Sequence, residues 1–373
     1  MRVLQVIDSL ATGGAEQLVV DLSTRLKSLG ADVDLFLLRA QGTSLERLAS
    51  NCDLPVLGGS GVIYSPWQIR HLAQHLSRVQ YDIIHVHLFP AQLWSCVAAR
   101  LVAAPGCLIT TEHSTTSRRR RNRAVRFLDR WMYAQYSAIV CNSEGTARNF
   151  AEWVEGASDR TRVIFNGIDL GRFGGKSPLD TQHLLDTSGP LILCTASLRA
   201  EKDHATLLRA VAMVGGLHLM LAGSGPLADE LRELSRQLGI AKRVHFLGAR
   251  DDIPDLLGIA DIYVQPSRVE GFGIAVLEAM AAGIPVVTSA IPGVSEVVGQ
   301  AGLQFPAGNE RELAKCLTRL LADADLRCKL SSQGRARAAK FSIDQTAREH
   351  LSLYETILRA PKPGSSCRDS LAS

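Results

Sequence analysis

The sequence has no long apolar run, which argues against a membrane-spanning helix. The most apolar stretch, residues 271–298, is interrupted by two glutamates, prolines and a glycine, whereas a spanning helix needs about 20 predominantly apolar residues. The N-terminus shows no secretory signal either, because its short apolar run ends at Asp8. We therefore expect a cytoplasmic protein, with the inner face of the plasma membrane as a further place where it could act.

Paired cysteines and a charge excess are also missing. The eight cysteines form no C-x-x-C pair and mostly lie in apolar runs, so reduced core thiols are expected. The 41 Lys and Arg residues nearly balance the 37 Asp and Glu residues, and a net charge of +4 argues against a nucleic-acid-binding protein. The chain also lacks the G-x-G-x-x-G fingerprint of dinucleotide-binding proteins.

What the sequence does contain is a regular alternation of short apolar runs and helical patterns. With 373 residues, of which 46% are hydrophobic, this pattern predicts an α/β protein of two doubly wound parallel sheets. The predicted strands of the first sheet are VLQVI (3–7), VDLFLL (33–38), IIHVHL (83–88), CLITT (107–111), AIVCNS (138–143) and RVIFN (162–166). Those of the second sheet are LILCTAS (191–197), LHLMLAG (217–223), VHFLG (244–248), DIYVQPS (261–267), PVVTS (285–289) and GLQF (302–305).

The same pattern predicts the domain organisation. An N-terminal Rossmann-like domain is expected at 1–168, a linker at 169–189 and a C-terminal Rossmann-like domain at 190–341. A last helix at 342–360 is expected to pack back toward the N-terminal domain, and residues 361–373 are expected to form a disordered tail. Such folds bind ligands at the carboxyl ends of their strands, so the functional site is expected in the cleft between the domains.

Two glycine-containing segments carry the strongest chemical signal. Gly13 and Gly14 join the first strand to the first helix, where helical N–H groups can bind an anion. In the second half, Glu270 and Glu278 flank a segment that leaves a strand, passes Gly271 and Gly273 and enters a helix. Glu278 stands among apolar residues, and a carboxylate on so apolar a helix requires a partner.

Several polar residues along the first sheet are candidates for metal or catalytic chemistry. His113 follows the strand CLITT, so it is expected to project into the cleft. His85 and His87 alternate along IIHVHL without a nearby carboxylate and are interpreted as core or cleft residues. Asp32 and Asp34 form a D-x-D string that opens a strand, and they are interpreted as surface and strand polarity. No metal site is therefore predicted.

Seven arginines and one aspartate crowd residues 118–130. Arg119, Arg123, Arg126 and Arg130 have helical spacing and form one stripe beside an apolar stripe. A basic amphipathic segment is typical of contact with an anionic membrane, or with an acceptor that carries pyrophosphate, and each Arg near such a surface contributes about 1 kcal/mol. A solvated helix face is the alternative.

Four segments together resemble the family-4 retaining glycosyltransferases of GT-B fold. They occur in the family's order across residues 1–358: TGGAE (12–16), VIFNGID (163–169), AGSGPL (222–227) and EGFGIAVLEAMAAGIPVV (270–287). The resemblance implies two Rossmann-like domains that face each other across a cleft. The domain at 1–168 would lie on the acceptor side, and the domain at 190–341 would bind the nucleotide sugar.

The resemblance also implies roles for single residues. Glu278 would bind the ribose hydroxyls of a nucleotide sugar, and Glu270 would contact the transferred sugar. Lys202 corresponds to the family's phosphate-binding lysine, and His113 to the histidine that contacts the donor sugar. His113, Glu270 and Lys202 are thus the expected catalytic residues.

Backbone amides complete the donor site that the resemblance implies. The residues expected to line the diphosphate are Gly13, Gly14, Phe272, Gly273 and Ile274. The family usually places an arginine where this sequence has Ser197, and Arg199 is the suggested replacement; a solvated loop charge is the alternative for both Arg199 and Lys202.

The resemblance implies transfer of a hexose or N-acetylhexosamine from a nucleotide sugar, most readily a uridine one, with retention of anomeric configuration. The acceptor would be lipid-linked or a growing glycan, in polysaccharide, lipopolysaccharide or glycolipid assembly, and no metal or cofactor is expected. Two alternatives remain open. A UDP-sugar 2-epimerase would need additional cleft carboxylates, and a non-catalytic partner subunit of a transferase is kept open by Ser197.

Overall fold

The structure of the protein is a computed structural model that describes residues 1–11, 13–59, 61–114, 122–174 and 189–360. Of Arg123 and Ala124 it describes the backbone only. The predicted tail at 361–373, most of the predicted linker and Arg119 lie outside the described residues.

The first unit is a parallel seven-stranded sheet in the order β3-β2-β1-β4-β5-β6-β7. Its central strands are buried on both faces, as expected when helices cover both sides of a sheet. The strands are β1 (Arg2–Ile7), β2 (Asp32–Leu37), β3 (Val56–Gly58), β4 (Ile83–His87), β5 (Cys107–Glu112), β6 (Ala138–Cys141) and β7 (Thr161–Val163). The helices are α1 (Gly14–Ser28), α2 (Ser44–Asn51), α3 (Trp67–Arg78), α4 (Ala91–Leu101), α5 (Arg123–Ala134) and α6 (Glu144–Trp153).

The second unit repeats this winding in a parallel six-stranded sheet, with the order β10-β9-β8-β11-β12-β13. Its strands are β8 (Leu191–Thr195), β9 (His218–Ala222), β10 (Val244–Gly248), β11 (Ile262–Gln265), β12 (Val286–Ser289) and β13 (Leu303–Phe305). Its helices are α7 (His204–Met213), α8 (Ala228–Gln237), α9 (Ile253–Ile259), α10 (Ile274–Ala282), α11 (Val294–Val298), α12 (Glu310–Ala322) and α13 (Ala324–Ala338). The prediction of two doubly wound α/β units that face each other in a GT-B arrangement is therefore confirmed.

The last helix, α14 (Ile343–Arg359), follows the second unit in sequence but packs on the first. Ile343 and Tyr354 are buried in the core between α1 and the first sheet, and Asp344 pairs with Arg25 of α1 at 2.5 Å. Where the chain returns, Ile168 donates a hydrogen bond to Phe341 O (3.1 Å) and accepts one from Ile343 N (2.9 Å). The chain crosses between the units twice, once after Ile168 and once near Phe341, and these two crossings thus lie side by side.

Some sequence interpretations need correction. Strand β3 was not predicted, because its Val-Leu-Gly segment runs directly into a second glycine, which is typical of a loop. Asp34 is not at the surface: it is 5% exposed and accepts a 2.6 Å hydrogen bond from the Tyr81 hydroxyl. Each described cysteine is free, but Cys328 is exposed rather than in the core. Among the described helices, none combines the length and apolar character needed to cross a membrane.

Candidate active site

A cavity of about 610 Å³ opens between the carboxyl edges of the two sheets. It lies at the switch points of both strand orders, where doubly wound folds bind ligands. Nearly all the residues predicted to bind the donor or to act in catalysis line it: Gly13, Gly14, His113, Lys202, Glu270, Phe272, Gly273, Ile274 and Glu278. Residues from both halves of the chain therefore converge on one space.

Lys202 and Glu270 meet inside the cavity. Lys202 ends a short turn of 3-10 helix after β8, while Glu270 lies in the loop between β11 and α10. Their ammonium and carboxylate groups form an ion pair, and each side chain is about one-fifth exposed. The Ser267 hydroxyl donates a longer bond of 3.4 Å to the same carboxylate oxygen. The pair places a fixed cation and a carboxylate side by side, with both still open to a ligand.

The start of α10 presents free backbone N–H groups to this space. Gly273 takes the position before the helix with φ of 92°, a conformation that favours glycine. No side chain of the described chain caps this helix start, so its first amides can bind an anion, assisted by the helix dipole. The ring of Phe272 is buried and contacts Phe165 and Phe341, which anchors the loop in the core.

Glu278, one turn further along α10, is close to one charged residue of the first crossing, Arg172, and to one of α1, Asp21. Burial raises its pKa to about 7, while the charge of Arg172 acts to lower it and that of Asp21 to raise it. Arg172 lies 3.6 Å from Asp21 of α1, and burial raises the pKa of Asp21 to about 6. The partner that an apolar helix required for Glu278 is therefore an arginine at the crossing between the units.

The loop before α1 approaches the second unit closely. A methyl group on Gly14 would stand 3.3 Å from the Ile274 side chain, and one on Gly13 would stand 2.3 Å from the carboxylate of Glu16. Glycine at these two positions leaves room for the facing helix and for the first-turn carboxylate. In this arrangement Glu16, whose pKa burial raises, lies against the loop that was predicted to bind an anion.

His113 is held at the cavity by a chain of buried polar side chains. Its Nε2 lies 3.0 Å from His87 Nδ1, and His87 Nε2 lies 2.7 Å from Gln5 Oε1. Gln5 also reaches the Tyr354 hydroxyl of α14 (3.5 Å), which lies 2.6 Å from His85 Nδ1. Burial lowers the pKa of His113 to about 4 and the pKa values of His85 and His87 well below the usual 6.5.

These hydrogen bonds determine the tautomer of His113. A neutral imidazole has one donor and one acceptor, and Gln5 Oε1 can only accept, so His87 carries its proton on Nε2. His87 Nδ1 then accepts from His113 Nε2, which leaves a lone pair on His113 Nδ1. That atom has no partner among the described residues. His113 is thus a neutral acceptor, suited to a hydroxyl rather than to a phosphate.

Comparison with known proteins identifies the family. Residues 12–172 match the family described as Glycosyltransferase Family 4, and residues 176–337 match the one described as Glycosyl transferases group 1. The chain belongs to the family-4 GT-B glycosyltransferases. It is an enzyme that transfers a glycosyl group.

Three relatives illustrate the range of this glycosyltransferase family. A lipopolysaccharide core biosynthesis glycosyltransferase, LpsE of Rhizobium meliloti (strain 1021), is 31% identical over 60% of this chain and 64% of that protein. The N-acetyl-alpha-D-glucosaminyl L-malate synthase of Bacillus anthracis is 25% identical over 81% of this chain and 82% of that protein. Anabaena HepE in complex with UDP-glucose has the same fold, with a TM-score of 0.84, 23% identity and coverage of 95% of this chain and 100% of that one.

One predicted donor residue of the glycosyltransferase lies elsewhere. Arg199 is exposed and is not among the described residues that line the cavity. Its neighbour Leu198 fills the core and pairs with Ser224 through the backbone at 2.9 Å, which turns the next residue outward. Ser197 does line the cavity, so the position that holds arginine in the family faces the site with a hydroxyl here.

Two arginines that sequence reasoning missed line the cavity instead. Arg172 was assigned to the linker. Arg250 follows β10 and is held by a bidentate ion pair with Asp252. Arg250 lies just beyond the carboxyl end of a strand. The same position led to the prediction of His113, so this signal could also have identified Arg250.

The arginine stripe of α5 is partly occupied within the protein. Arg126 donates to Glu155 (2.6 Å) and to Trp153 O (3.0 Å), and Arg130 pairs with the same glutamate. The side chain of Arg123 and all of Arg119 lie outside the described residues. These two described arginines therefore brace α5 against the end of α6 rather than face solvent freely.

Metal ligands do not gather in the part of the chain that the structure describes. No group of three or more His, Cys, Asp or Glu residues there is placed to hold a metal ion. His85 and His87 are buried and bonded to polar side chains, as the interpretation of core or cleft residues requires.

Proposed function

We propose that this glycosyltransferase moves a hexose or N-acetylhexosamine from a UDP-sugar to a lipid-linked or growing glycan acceptor, with retention of anomeric configuration. The observation that carries the proposal is the convergence of Lys202, Glu270, Glu278 and His113 on one cavity between the units. A cation, two carboxylates and a neutral hydrogen-bond acceptor match the groups of a sugar nucleotide.

Each part of the donor has a partner in this proposal. The diphosphate binds Lys202 and the free N–H groups at the start of α10, the ribose hydroxyls bind Glu278, and a sugar hydroxyl donates to His113. Support for uridine comes from Anabaena HepE, whose structure has the same fold and contains UDP-glucose. Support for surface saccharide assembly comes from the named role of LpsE in lipopolysaccharide core biosynthesis.

The proposed chemistry places the developing charge where the site can stabilise it. As the glycosidic bond breaks, negative charge grows on the leaving diphosphate. Lys202 and the amides near Gly14 and Gly273 stabilise this charge, so they stabilise the transition state more than the ground state. A diphosphate oxygen helps to activate the acceptor hydroxyl on the same face, which gives retention. With a cation and amides available, this mechanism requires neither a divalent ion nor a cofactor.

A donor screen tests the proposal. The melting temperature is measured with a panel of nucleotide sugars, since a ligand at 100 times its dissociation constant adds about 2.7 kcal/mol of stability. We expect a UDP-sugar to give the largest shift. The variant Glu278→Ala should lose this shift, whereas Glu312→Gln, which removes an exposed carboxylate on α12, should keep it.

Two results would contradict the proposal. Equal uridine nucleotide affinity in wild type and Glu278→Ala would remove the donor assignment. A product that is the free C2-epimeric sugar rather than a glycosylated acceptor would identify an epimerase.

We also propose that the N-terminal unit contacts an anionic membrane through α5, which would place the enzyme at the inner face of the plasma membrane. Phe127 and Trp131 are one turn apart on this helix and are 75% and 41% exposed. The arginine-rich segment 118–121 immediately precedes the helix. Exposed aromatics beside basic residues suit an anionic lipid surface.

Vesicle sedimentation tests the membrane contact. The wild type should sediment with vesicles that contain anionic lipid. The double variant Phe127→Ser/Trp131→Ser should remain in the supernatant. Met213→Ser, which removes an exposed apolar side chain from the other unit, is the matched control. Equal binding of all three proteins to anionic vesicles would exclude the α5 surface as the membrane contact. Equal binding of the wild type to anionic and neutral vesicles would exclude a preference for anionic lipid.

A further inference from the structure

The two units are joined at the start of α6 by the carboxylate of Glu296. Glu296 lies on α11 of the second unit, and its two oxygens accept hydrogen bonds of 2.8 Å from the N–H groups of Glu144 and Gly145. These groups open α6, where the helix has no carbonyl to offer them and where negative charge is favoured. Arg148 adds a positive charge 3.6 Å from the carboxylate.

A second bond beside this contact reaches the catalytic loop. The hydroxyl of Ser143, the residue before α6, donates to the carbonyl oxygen of Gly271 at 2.8 Å, and both residues are buried. Gly271 directly follows Glu270. A methyl group on Gly271 would stand 2.0 Å from the carbonyl oxygen of His113. The first unit therefore touches the loop that carries Glu270 through both Ser143 and the His113 backbone.

The other side of this loop is covered by the segment that leads into α11. Gly293 has φ of 81°, and a methyl group there would stand 2.4 Å from Gly271 O. Gly145 is equally close to this segment, because a methyl group on it would stand 2.8 Å from Pro292 Cβ. Without side chains at Gly271, Gly293 and Gly145, the backbones pack directly. The loop is thus enclosed between the first unit and the segment that leads into α11.

We propose that Glu296 and Ser143 are positioning residues, which hold the loop of Glu270 in its catalytic place when the cleft closes. This rests on the proposed function. Neither residue is among the described residues that line the cavity, so they act through the loop and through α6. The Glu270 carboxylate, its ion pair with Lys202 and the free amides of α10 are then assembled together with closure, which also excludes water.

The first experiment is independent of any ligand. Hydrogen exchange is measured at the amides of Glu144 and Gly145 in the wild type, in Glu296→Gln and in Glu296→Ala. A glutamine has one acceptor oxygen and turns a donor toward the second amide, so we expect exchange there to become at least about tenfold faster. Glu312→Gln removes a carboxylate that bonds only to Lys315 within α12 among the described contacts. It should leave both amides unchanged.

The second experiment measures turnover with the UDP-sugar selected by the donor screen. For Glu296→Gln and Ser143→Ala we expect kcat to fall about 10- to 100-fold while the donor KM changes less than about threefold, because the donor contacts are retained and the closed state is lost. The share of donor lost to hydrolysis rather than transfer should increase in both variants. Their melting temperatures are measured alongside, so that a variant that fails to fold is set aside and the other variant decides the result.

The outcomes separate the two proposals. Unchanged amide exchange in Glu296→Ala would overturn the contact, and faster exchange with unchanged kcat and unchanged hydrolysis would overturn its positioning role. If the wild type binds no UDP-sugar, the proposed function fails, while the exchange result still decides whether Glu296 joins the units.

Discussion

Single residues in the cavity have unusual acid–base properties. Glu278 carries a pKa of about 7 because burial disfavours its charge more than Arg172 favours it. Between pH 4.5 and about pH 7, the folded protein therefore keeps a proton on Glu278 that the unfolded chain has lost. The free energy of unfolding of the unliganded protein falls as the pH rises through that range. A raised pKa in a ligand cavity is typical of a functional group rather than of a structural one.

Donor affinity should follow the ionisation of Glu278. If the carboxylate accepts the ribose hydroxyls, affinity for the UDP-sugar rises about tenfold from pH 6 to pH 8, and Glu278→Gln removes this dependence. Calorimetric titration at the two pH values measures it. A UDP-sugar is used rather than UDP, because its diphosphate carries no terminal phosphate that titrates near neutral pH. A glutamine variant that keeps the full pH dependence would show that another group is responsible.

Most of the predicted site residues line the cavity, because strand ends mark this edge of the sheets. His113, Glu270 and Glu278 follow from residue types at a strand end and at a glycine-containing helix start. The family resemblance added Lys202 and supplied the expected roles of all four residues. Arg199 is not among the described residues that line the cavity, because sequence distance from Lys202 does not show which way a loop residue points. The link from His113 through His87 and Gln5 to Tyr354 joins residues from three distant segments, so no local pattern could reveal it.

At the scale of elements, buried strands were the most predictable features. All twelve predicted strands begin within one residue of an observed strand, because parallel strands covered on both faces are largely apolar runs. The edge strand β3 and the burial of Asp34 were not predictable, because each depends on a neighbouring element. The helix α14 was predicted from its pattern, whereas its polar contact with the first sheet depends on the folded arrangement.

Helix α14 should stabilise the first unit through one hydroxyl. Tyr354→Phe removes the partner of His85 Nδ1 and Gln5 Nε2 in a buried site. We expect the free energy of unfolding of that unit to fall by about 1–3 kcal/mol, measured by urea denaturation. Tyr64→Phe removes a hydroxyl from a side chain that is 61% exposed and should change stability by less than about 0.5 kcal/mol. Equal stability of the two variants would show that this hydroxyl contributes nothing.

At the scale of the whole molecule, buried histidines govern the response to acid. Burial lowers the pKa values of His113 and His204 to about 4 and that of His350 to about 3. Below pH 6.5 these histidines bind protons in the unfolded chain but stay neutral in the folded protein. The free energy of unfolding therefore falls as the pH falls toward 4. The raised carboxyl pKa values of Asp8 and Glu278 act in the opposite direction.

His350 offers a test of this balance. Its replacement by phenylalanine should reduce the stability lost between pH 6.5 and 4.5 by roughly 2–3 kcal/mol. The exposed His71 on α3 serves as the control, since His71→Phe should follow the wild-type curve. Thermal unfolding at a series of pH values gives both curves, and parallel curves for all three proteins would exclude His350 as a contributor.

The return of α14 to the first unit has a consequence for building hybrid enzymes. Exchanging everything after the first crossing would remove the native cover of α1 and the polar anchor of His85, and would install a foreign helix against an unmatched surface. A graft that ends before Ile343, so that the recipient keeps its own final helix, preserves both cores. Recombination between relatives should therefore tolerate replacement of an internal piece far better than replacement of a terminal one.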